Sequence, residues 1–446
     1  MKKGADLIYG KPARAMFLFA LPMIIGNLFQ QFYNMADSVI VGNFVGEDAL
    51  AAVGASYSFT TVFIMVAIGG GMGTSVLVSQ YFGAHKYREM KTAIHTFLRT
   101  FLVFSVLLAV VGFFVNPYIL QALETPANIY DDATLYLQIY FCGLPFMFMY
   151  NVLAANFNAL GKSRIPLYLL IFSSVLNILL DIWLVVEFRL GVAGVAIATV
   201  IAQGVSSIIS YVLLMRFLHT FETEEQVRSY DFGMLRSGVR IAIPSIVQQS
   251  IVSIGLLLTQ SAVNQFGSSA VAGYAAGSRL ESLCIVPMVA TGNAMSTFTA
   301  QNIGAGQAER VKEGHRAAFR IIAGFAVGII VLTQVFYQPL IAAFVDVEES
   351  ALAFDTGTNY LRFVGWFFLI LGLKTTTDGI LRGAGDVKVY MIANLVNLVI
   401  RVSVARLGAP ILGIWIIWSI VPVGWLANFL ISYIWYRTGH WKNITV

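Results

Sequence analysis

Long apolar runs, broken by short polar stretches that hold most of the charge, set the character of this chain. Runs such as Phe101–Val115 and Leu167–Val186 carry no strict alternation of polar and apolar positions, which excludes the two-residue period of a membrane β-barrel strand. Each run approaches or exceeds the roughly 20 residues a helix needs to cross a bilayer. The pattern predicts spanning helices near 15–41, 50–80, 93–115, 133–157, 165–186 and 192–216. After a polar loop, six more are predicted near 239–265, 271–301, 317–337, 357–380, 388–405 and 410–435. The expected class is an all-α polytopic membrane protein with twelve transmembrane helices.

Composition agrees with the pattern. A length of 446 residues would suggest two or three soluble domains, but 58% hydrophobic and 11% charged residues, with a mean hydropathy of +0.77, exclude them. The net charge of +5 does not signal nucleic acid, because the basic residues are spread over many loops and build no single face. They sort by side of the membrane instead. With the N-terminus in the cytoplasm, Lys86, Arg88 and Lys91, then Lys162 and Arg164, then Arg310, Lys312 and Arg316, and finally Arg437 and Lys442 all fall inside. Only Arg189 and Arg406 fall in outside loops, which hold acids such as Asp131, Asp132 and Glu187. This positive-inside bias predicts twelve spans with both termini cytoplasmic.

A shift of 221 residues superimposes Gln80-Tyr-Phe-Gly-Ala84 on Gln301-Asn-Ile-Gly-Ala305 and Ala49-Leu-Ala51 on Ala270-Val-Ala272. A nearby shift sets Leu21-Pro22 beside Ile243-Pro244. The chain thus reads as two six-helix repeats: an N-terminal lobe over 1–217, a cytoplasmic linker over 218–238 and a C-terminal lobe over 239–446. Six is even, so the repeats are parallel, an arrangement that in transporters sets a substrate path between the halves.

Seven of the charged residues inside predicted spans stand out: Asp37, Asp181, Arg279, Glu281, Lys374, Asp378 and Arg401. A charge there is costly and needs a partner or a function. Gln30, Tyr33, Asn34 and Asp37 share one helical face. Asn177 and Asp181 stack four residues apart on the fifth helix, and Thr199 on the sixth can approach them. Carboxylates, an amide carbonyl and a hydroxyl suit a hard cation such as Na⁺. They suit a proton equally, since a desolvated carboxyl can load and release one near neutrality. A buried structural network is the plainer alternative. Lys374 and Asp378, four apart, read as a local ion pair or as cavity lining. Arg279 and Glu281 face different ways, and each is expected to bond a neighbouring helix. Arg401, four residues after Asn397, has Asp378 or an anionic ligand as candidate partners.

The glycines at 69, 70, 71 and 73 are expected to allow close helix packing, and Pro22, Pro145, Pro244, Pro287 and Pro422 to favour kinks. Cys142 and Cys284 are isolated in apolar runs and form no CxxC pair. All five histidines fall in or beside cytoplasmic loops, so no haem or zinc cluster is expected, and no nucleotide-binding GxxxxGK[ST] occurs. No cofactor is therefore expected. An enzyme is not expected either, since no nucleophile and base converge in the bilayer. A channel would not need the duplication.

Leu21-Pro22, Asn34-Met-Ala-Asp37-Ser, Val41-Gly-Asn-Phe-Val-Gly46 and Ala49-Leu-Ala-Ala-Val-Gly54 stand in one order with Gln80-Tyr-Phe-Gly-Ala84, Ala159-Leu-Gly161, Gln301-Asn-Ile-Gly-Ala305 and Leu381-Arg-Gly-Ala-Gly-Asp386. Together they resemble the multidrug and toxic compound extrusion family, in particular its bacterial DNA-damage-inducible F-like branch. The resemblance runs from about residue 10 to 435. It implies a V-shaped pair of lobes in the bacterial inner membrane that exchanges drugs or metabolites for Na⁺ or H⁺ by alternating access. It also implies cation coupling at Asp37, Asn177, Asp181 and Thr199, the same residues holding the metal if the ion is Na⁺. Gln30, Tyr33, Asn34, Lys374, Asp378 and Arg401 are the candidate cavity residues. Some relatives use an acid on the seventh helix, where this chain has none between Pro244 and Phe266, and others an acid where this chain has Asn397. The expected partners are a small-molecule substrate and the lipid bilayer, with no nucleic acid and a monomeric state. A flippase for a lipid-linked precursor is the alternative, and it predicts a more cationic cavity than Arg279, Lys374 and Arg401 supply.

Overall fold

The computed structural model describes residues 6–122, 125–223, 226–345 and 350–443, except for the side chains of residues 36–39, 43, 47, 58 and 443. Every predicted span is helical. In chain order the helices are α1 (Pro12–Phe44), α2 (Glu47–Gly83), α3 (Tyr87–Ala122), α4 (Ala127–Ala159), α5 (Arg164–Ile182), α6 (Gly191–Leu218) and α7 (Phe232–Val263). They continue as α8 (Ser268–Gly304), α9 (Ala308–Val335), the short α10 (Tyr337–Ala342), α11 (Ala351–Gly365), α12 (Phe368–Ala384), α13 (Val387–Leu412) and α14 (Trp415–Thr438). Among the described residues, eleven are long and apolar enough to span a membrane.

The tenth predicted helix, 357–380, is two helices, α11 and α12, which meet at 54° across Trp366 and Phe367 and are long and apolar enough to cross a membrane only when taken together. No proline marks the break. Conversely, Pro22, Pro145, Pro244, Pro287 and Pro422 all sit inside helices that continue through them. Of the predicted linker 218–238, residues from Phe232 onward already belong to α7.

By contact the chain divides into two compact units, at points inside α1 and α7. One unit is Ile25–Ile246; the other joins the start of the chain, through Ile24, to Val247–Val446. The first part of α1 is thus held by the second unit, and the first part of α7 by the first. In the second unit Asn302 Nδ2 donates to the Leu7 carbonyl at 3.0 Å, and Arg310 donates to that of Gly10. In the first unit, the Asp231 backbone N–H donates to Thr96 Oγ1 at 3.0 Å, and Lys91 Nζ to the Phe221 carbonyl at 2.6 Å. Gly69 faces α7, where a methyl group would stand 2.6 Å from Ile246 Cα, so this glycine serves close packing.

The Ile25–Ile246 unit is built on aromatic contacts such as Phe63–Phe141, edge to face at 5.3 Å. In the other unit α8 is the central helix. Its most apolar window is 78% buried, against 11% for α13, so the polar side chains of α8 face protein. Small residues let α12 lie against it: a methyl group on Gly292 would stand 2.7 Å from the Thr375 carbonyl oxygen.

Candidate functional site

Residues Ser174, Asn177, Asp181 and Val185 recur at helical spacing along α5 and the wider π-helical turn that follows it, and all four are buried. Asn177 is 2% and Asp181 0% exposed, whereas Leu179 on the opposite side is 61% exposed. The apolar composition of α5 therefore covers its outer face, and its two amide and acid side chains turn inward. The π-helical turn over Trp183–Glu187 begins two residues after Asp181, a local widening that recurs at functional sites. Arg189 then adopts a left-handed backbone, φ 53°, and Gly191 opens α6 at φ 55°. Small residues along α6, Gly194, Ala196, Ala198 and Ala202, are buried and allow a close neighbour.

Asn177 sits at the centre of the cluster. Its amide is satisfied when the nitrogen faces Asp181, because the opposite orientation sets oxygen against acceptors. In that arrangement the nitrogen donates to Asp181 Oδ2 at 3.1 Å and to the Tyr33 hydroxyl, and the oxygen accepts from the Thr199 backbone N–H at 3.1 Å. The Thr199 hydroxyl donates to the Val195 carbonyl at 3.1 Å, which leaves its oxygen as an acceptor. Tyr33, Asn177, Asp181 and Thr199 thus come together from α1, α5 and α6. Gln30 and Asn34 lie on the same stripe of α1 and bond to each other at 3.0 Å. Asp37 belongs to α1, but its side chain lies outside the described residues. The group is a carboxylate, an amide and two hydroxyls, oxygen chemistry that suits a hard monovalent cation or a proton.

Lys374 and Asp378 form the predicted pair, buried and 3.2 Å apart. Two groups that the spacing did not indicate complete it. Lys374 Nζ donates to Asn394 Oδ1 at 2.9 Å, and Ser432 Oγ donates to Asp378 Oδ1 at 2.6 Å. Among the described residues Arg401 forms no ion pair with Asp378, the first of the two candidates read from the sequence. Asp378 is closed off by α12, α13 and α14. As expected, Glu281 bonds a neighbouring helix: it accepts from the Tyr360 hydroxyl of α11. Arg382, in the Leu381–Asp386 motif, reaches from α12 to α8, with Nη2 donating to Asn293 Oδ1 at 2.7 Å and Nε to Ser296 Oγ at 3.2 Å. The stripe Asn394, Asn397 and Arg401, at i, i+3 and i+7, was the available sequence signal for the polar face of α13.

The family model MatE matches the chain twice, over residues 22–183 and 244–407, one match in each half. The chain belongs to the MatE family. It is a transporter of that family and not an enzyme. It is 29% identical over 99% of its length to the probable multidrug resistance protein YpnP of Bacillus subtilis, covering 98% of that protein. It is 30% identical to the probable multidrug resistance protein YoeA of the same organism, covering 84% of this chain and 82% of that one. A FAD transporter of Shewanella oneidensis is 26% identical, with coverages of 83% and 80%. Among solved structures, an outward-facing MATE family transporter of the MOP superfamily matches with a TM-score of 0.89 at 22% identity, covering 98% of each chain. A MOP superfamily transporter from Pyrococcus furiosus matches at 0.90, with the same identity and coverage. These structures share the fold of the chain.

Proposed function

We propose that the protein is a cation-coupled antiporter that exports cationic or amphipathic drugs or metabolites from a bacterial cell. The observation that carries this reading is the buried Asp181–Asn177 pair, with Tyr33 and Thr199 around it. A carboxylate held in the membrane interior has a strong free-energy preference for being neutralised, either by a proton or by Na⁺. Asn177 orients it, since one amide nitrogen serves both Asp181 and Tyr33 while the amide oxygen is held by the Thr199 N–H. Ion binding then couples to transport because the ion and the substrate favour different states of the same protein, so that each lowers the other's occupancy. The names of the YpnP and YoeA relatives support drug export, and the FAD transporter relative supports a range that extends to metabolites.

In this reading the protein sits in the plasma membrane as a monomer with both termini in the cytoplasm, in keeping with the basic loops. The test is uptake of a fluorescent organic cation into inside-out vesicles, with Na⁺ and pH gradients imposed separately, by wild type, Asp37→Asn and Asp181→Asn. The expected result is accumulation driven by one of the two gradients and abolished in both variants. Unchanged gradient-driven accumulation in both variants would overturn the assignment. A folded wild type that accumulates no cation under either gradient would favour the flippase for a lipid-linked precursor.

A further inference from the structure

Arg401 is a cation in the membrane interior that makes neither an ion pair nor a hydrogen bond among the described residues. It stands about 20 Å and about 16 Å along α13 from the two ends of that helix, at 1.5 Å per residue. A charge at that depth is costly without a counter-charge. The buried acids of the same unit are engaged elsewhere among the described residues. Asp378 is held by Lys374, Asn394 and Ser432, Glu281 by the Tyr360 hydroxyl, and Asp386 by Trp435 and His440.

The seam between α13 and α14 gives the guanidinium its surroundings. Asn397 and Arg401 both pack on Gly424 of α14, where a methyl group would meet Asn397 Oδ1 and stand 3.0 Å from Arg401 Cγ. Both are half-buried, which leaves part of each side chain accessible. Asn394 of α13 and Ser432 of α14 are level with each other, since both bond Asp378. Asn428 is one turn from Ser432 and one turn from Gly424, and so falls in the stretch of the seam that Asn397 occupies on α13. Asn428 is 0% exposed, yet neither its Nδ2 nor its Oδ1 has a hydrogen-bond partner, and Asn397 Oδ1 and Arg401 Nε are likewise buried and unpartnered. Buried polar atoms without partners are rare and destabilising, so four along one seam mark a place built for a group from outside the chain.

The donors select the group. A guanidinium presents a planar fork that matches a carboxylate, and an asparagine amide can turn either its nitrogen or its oxygen to a ligand. Water satisfies amides but leaves the cation unbalanced. One cation balances one negative charge, so a carboxylate fits, whereas a doubly charged phosphate would carry an excess charge into the membrane. The depth of Arg401 also sets it beyond a lipid headgroup at the bilayer surface, which favours a solute. We propose that Arg401, with Asn397 and Asn428, is a carboxylate-binding site in the Val247–Val446 unit, and that the amphipathic solutes handled by this protein include carboxylic acids and zwitterions. The role in transport rests on the export reading above, but binding at Arg401 does not.

The test is fluorescence anisotropy with the full chain in lipid nanodiscs, empty nanodiscs subtracted, using rhodamine B, which has a free carboxylate, and rhodamine B ethyl ester, in which the same group is capped. Wild type is expected to bind both. Arg401→Met should weaken rhodamine B by about tenfold to a hundredfold relative to the ester, the worth of a charge-assisted hydrogen bond, and Arg401→Lys, which keeps the charge without the fork, should recover part of it. Asn428→Leu should weaken rhodamine B severalfold relative to the ester while raising the unfolding temperature, because it removes an amide that the protein itself does not satisfy. A wild type that does not bind rhodamine B would overturn the proposal, as would an Arg401→Met or Asn428→Leu variant that changes both dyes alike. A competition in wild type decides the matter even if the arginine variants do not fold: benzoate should displace rhodamine B and benzamide should not. Equal displacement by the two, or by neither, overturns the site, and displacement by dispersed phosphatidylglycerol but not by benzoate assigns Arg401 to a lipid headgroup instead. Transport of the two dyes into inside-out vesicles then tests the role. Loss of rhodamine B transport relative to the ester in Arg401→Met supports it, and an unchanged ratio overturns it. If wild type transports nothing under either gradient, the export reading fails, and the binding comparison still decides whether Arg401 holds a carboxylate.

Discussion

Removing the lysine of the Lys374–Asp378 pair should destabilise the protein, because it leaves a buried carboxylate without its counter-charge. In Lys374→Met the carboxylate keeps Ser432 at 2.6 Å and Asn394 at 3.4 Å but loses the ammonium at 3.2 Å. Breaking a buried pair from one side costs about 3–5 kcal/mol, because a charge is left buried without its counter-charge. The deficit should therefore be about 3–5 kcal/mol. Lys374→Met/Asp378→Asn removes the charge while keeping an acceptor for Ser432, and should regain most of the loss. The assay is unfolding of the purified variants in one detergent, each compared with wild type. A single variant as stable as wild type, or a double variant as unstable as the single one, would refute the argument.

Tyr33→Phe removes one hydroxyl from Asn177 and should weaken apparent coupling-ion affinity by up to about tenfold, the worth of one hydrogen bond, measured as the ion concentration for half-maximal transport. Gly292→Val inserts a side chain where a methyl group already stands 2.7 Å from the Thr375 carbonyl oxygen, and should destabilise the α8–α12 contact by about 1–3 kcal/mol or more, read by thermal unfolding. Asp231 caps α7, its Oδ1 accepting from the Met234 N–H at 3.0 Å, so Asp231→Ala should cost about 1 kcal/mol. That same Met234 bond, ahead of Gly233 and Arg228, holds the Asp231 carboxyl below its usual value of 3.8. The cap's contribution is therefore complete above that value and is lost as pH falls through the lowered one, so wild type and Asp231→Ala should converge in stability in acid.

The helices and the first polar cluster were legible because each rests on a local period. Asn177 and Asp181 are four residues apart, and α5 has only one buried face, so spacing alone places them together. The break between α11 and α12 was not legible: it falls at Trp366 and Phe367, residues that carry no turn signal, while prolines that do carry one sit in unbroken helices. Nor could the sequence show that α1 and α7 each lend their first part to the other unit, since each reads as one unbroken helix and the division lies in what its two parts touch. The partner of Arg401 stayed open between Asp378 and an anionic ligand for a related reason: its helix and spacing were clear, but what packs against it, Gly424 of α14, carries no charge to draw attention to it.

Ion movement driven by substrate tests coupling most directly. Purified protein is reconstituted in liposomes loaded with a pH-sensitive or a Na⁺-sensitive dye, and a fluorescent organic cation is added to one side without any imposed ion gradient. Coupling through Asp181 predicts that substrate entry drives one of the two ions out of the wild-type liposomes, and that Asp181→Asn shows no such counter-movement. Equal downhill substrate entry in both proteins, with neither H⁺ nor Na⁺ moving in the opposite direction, would contradict it.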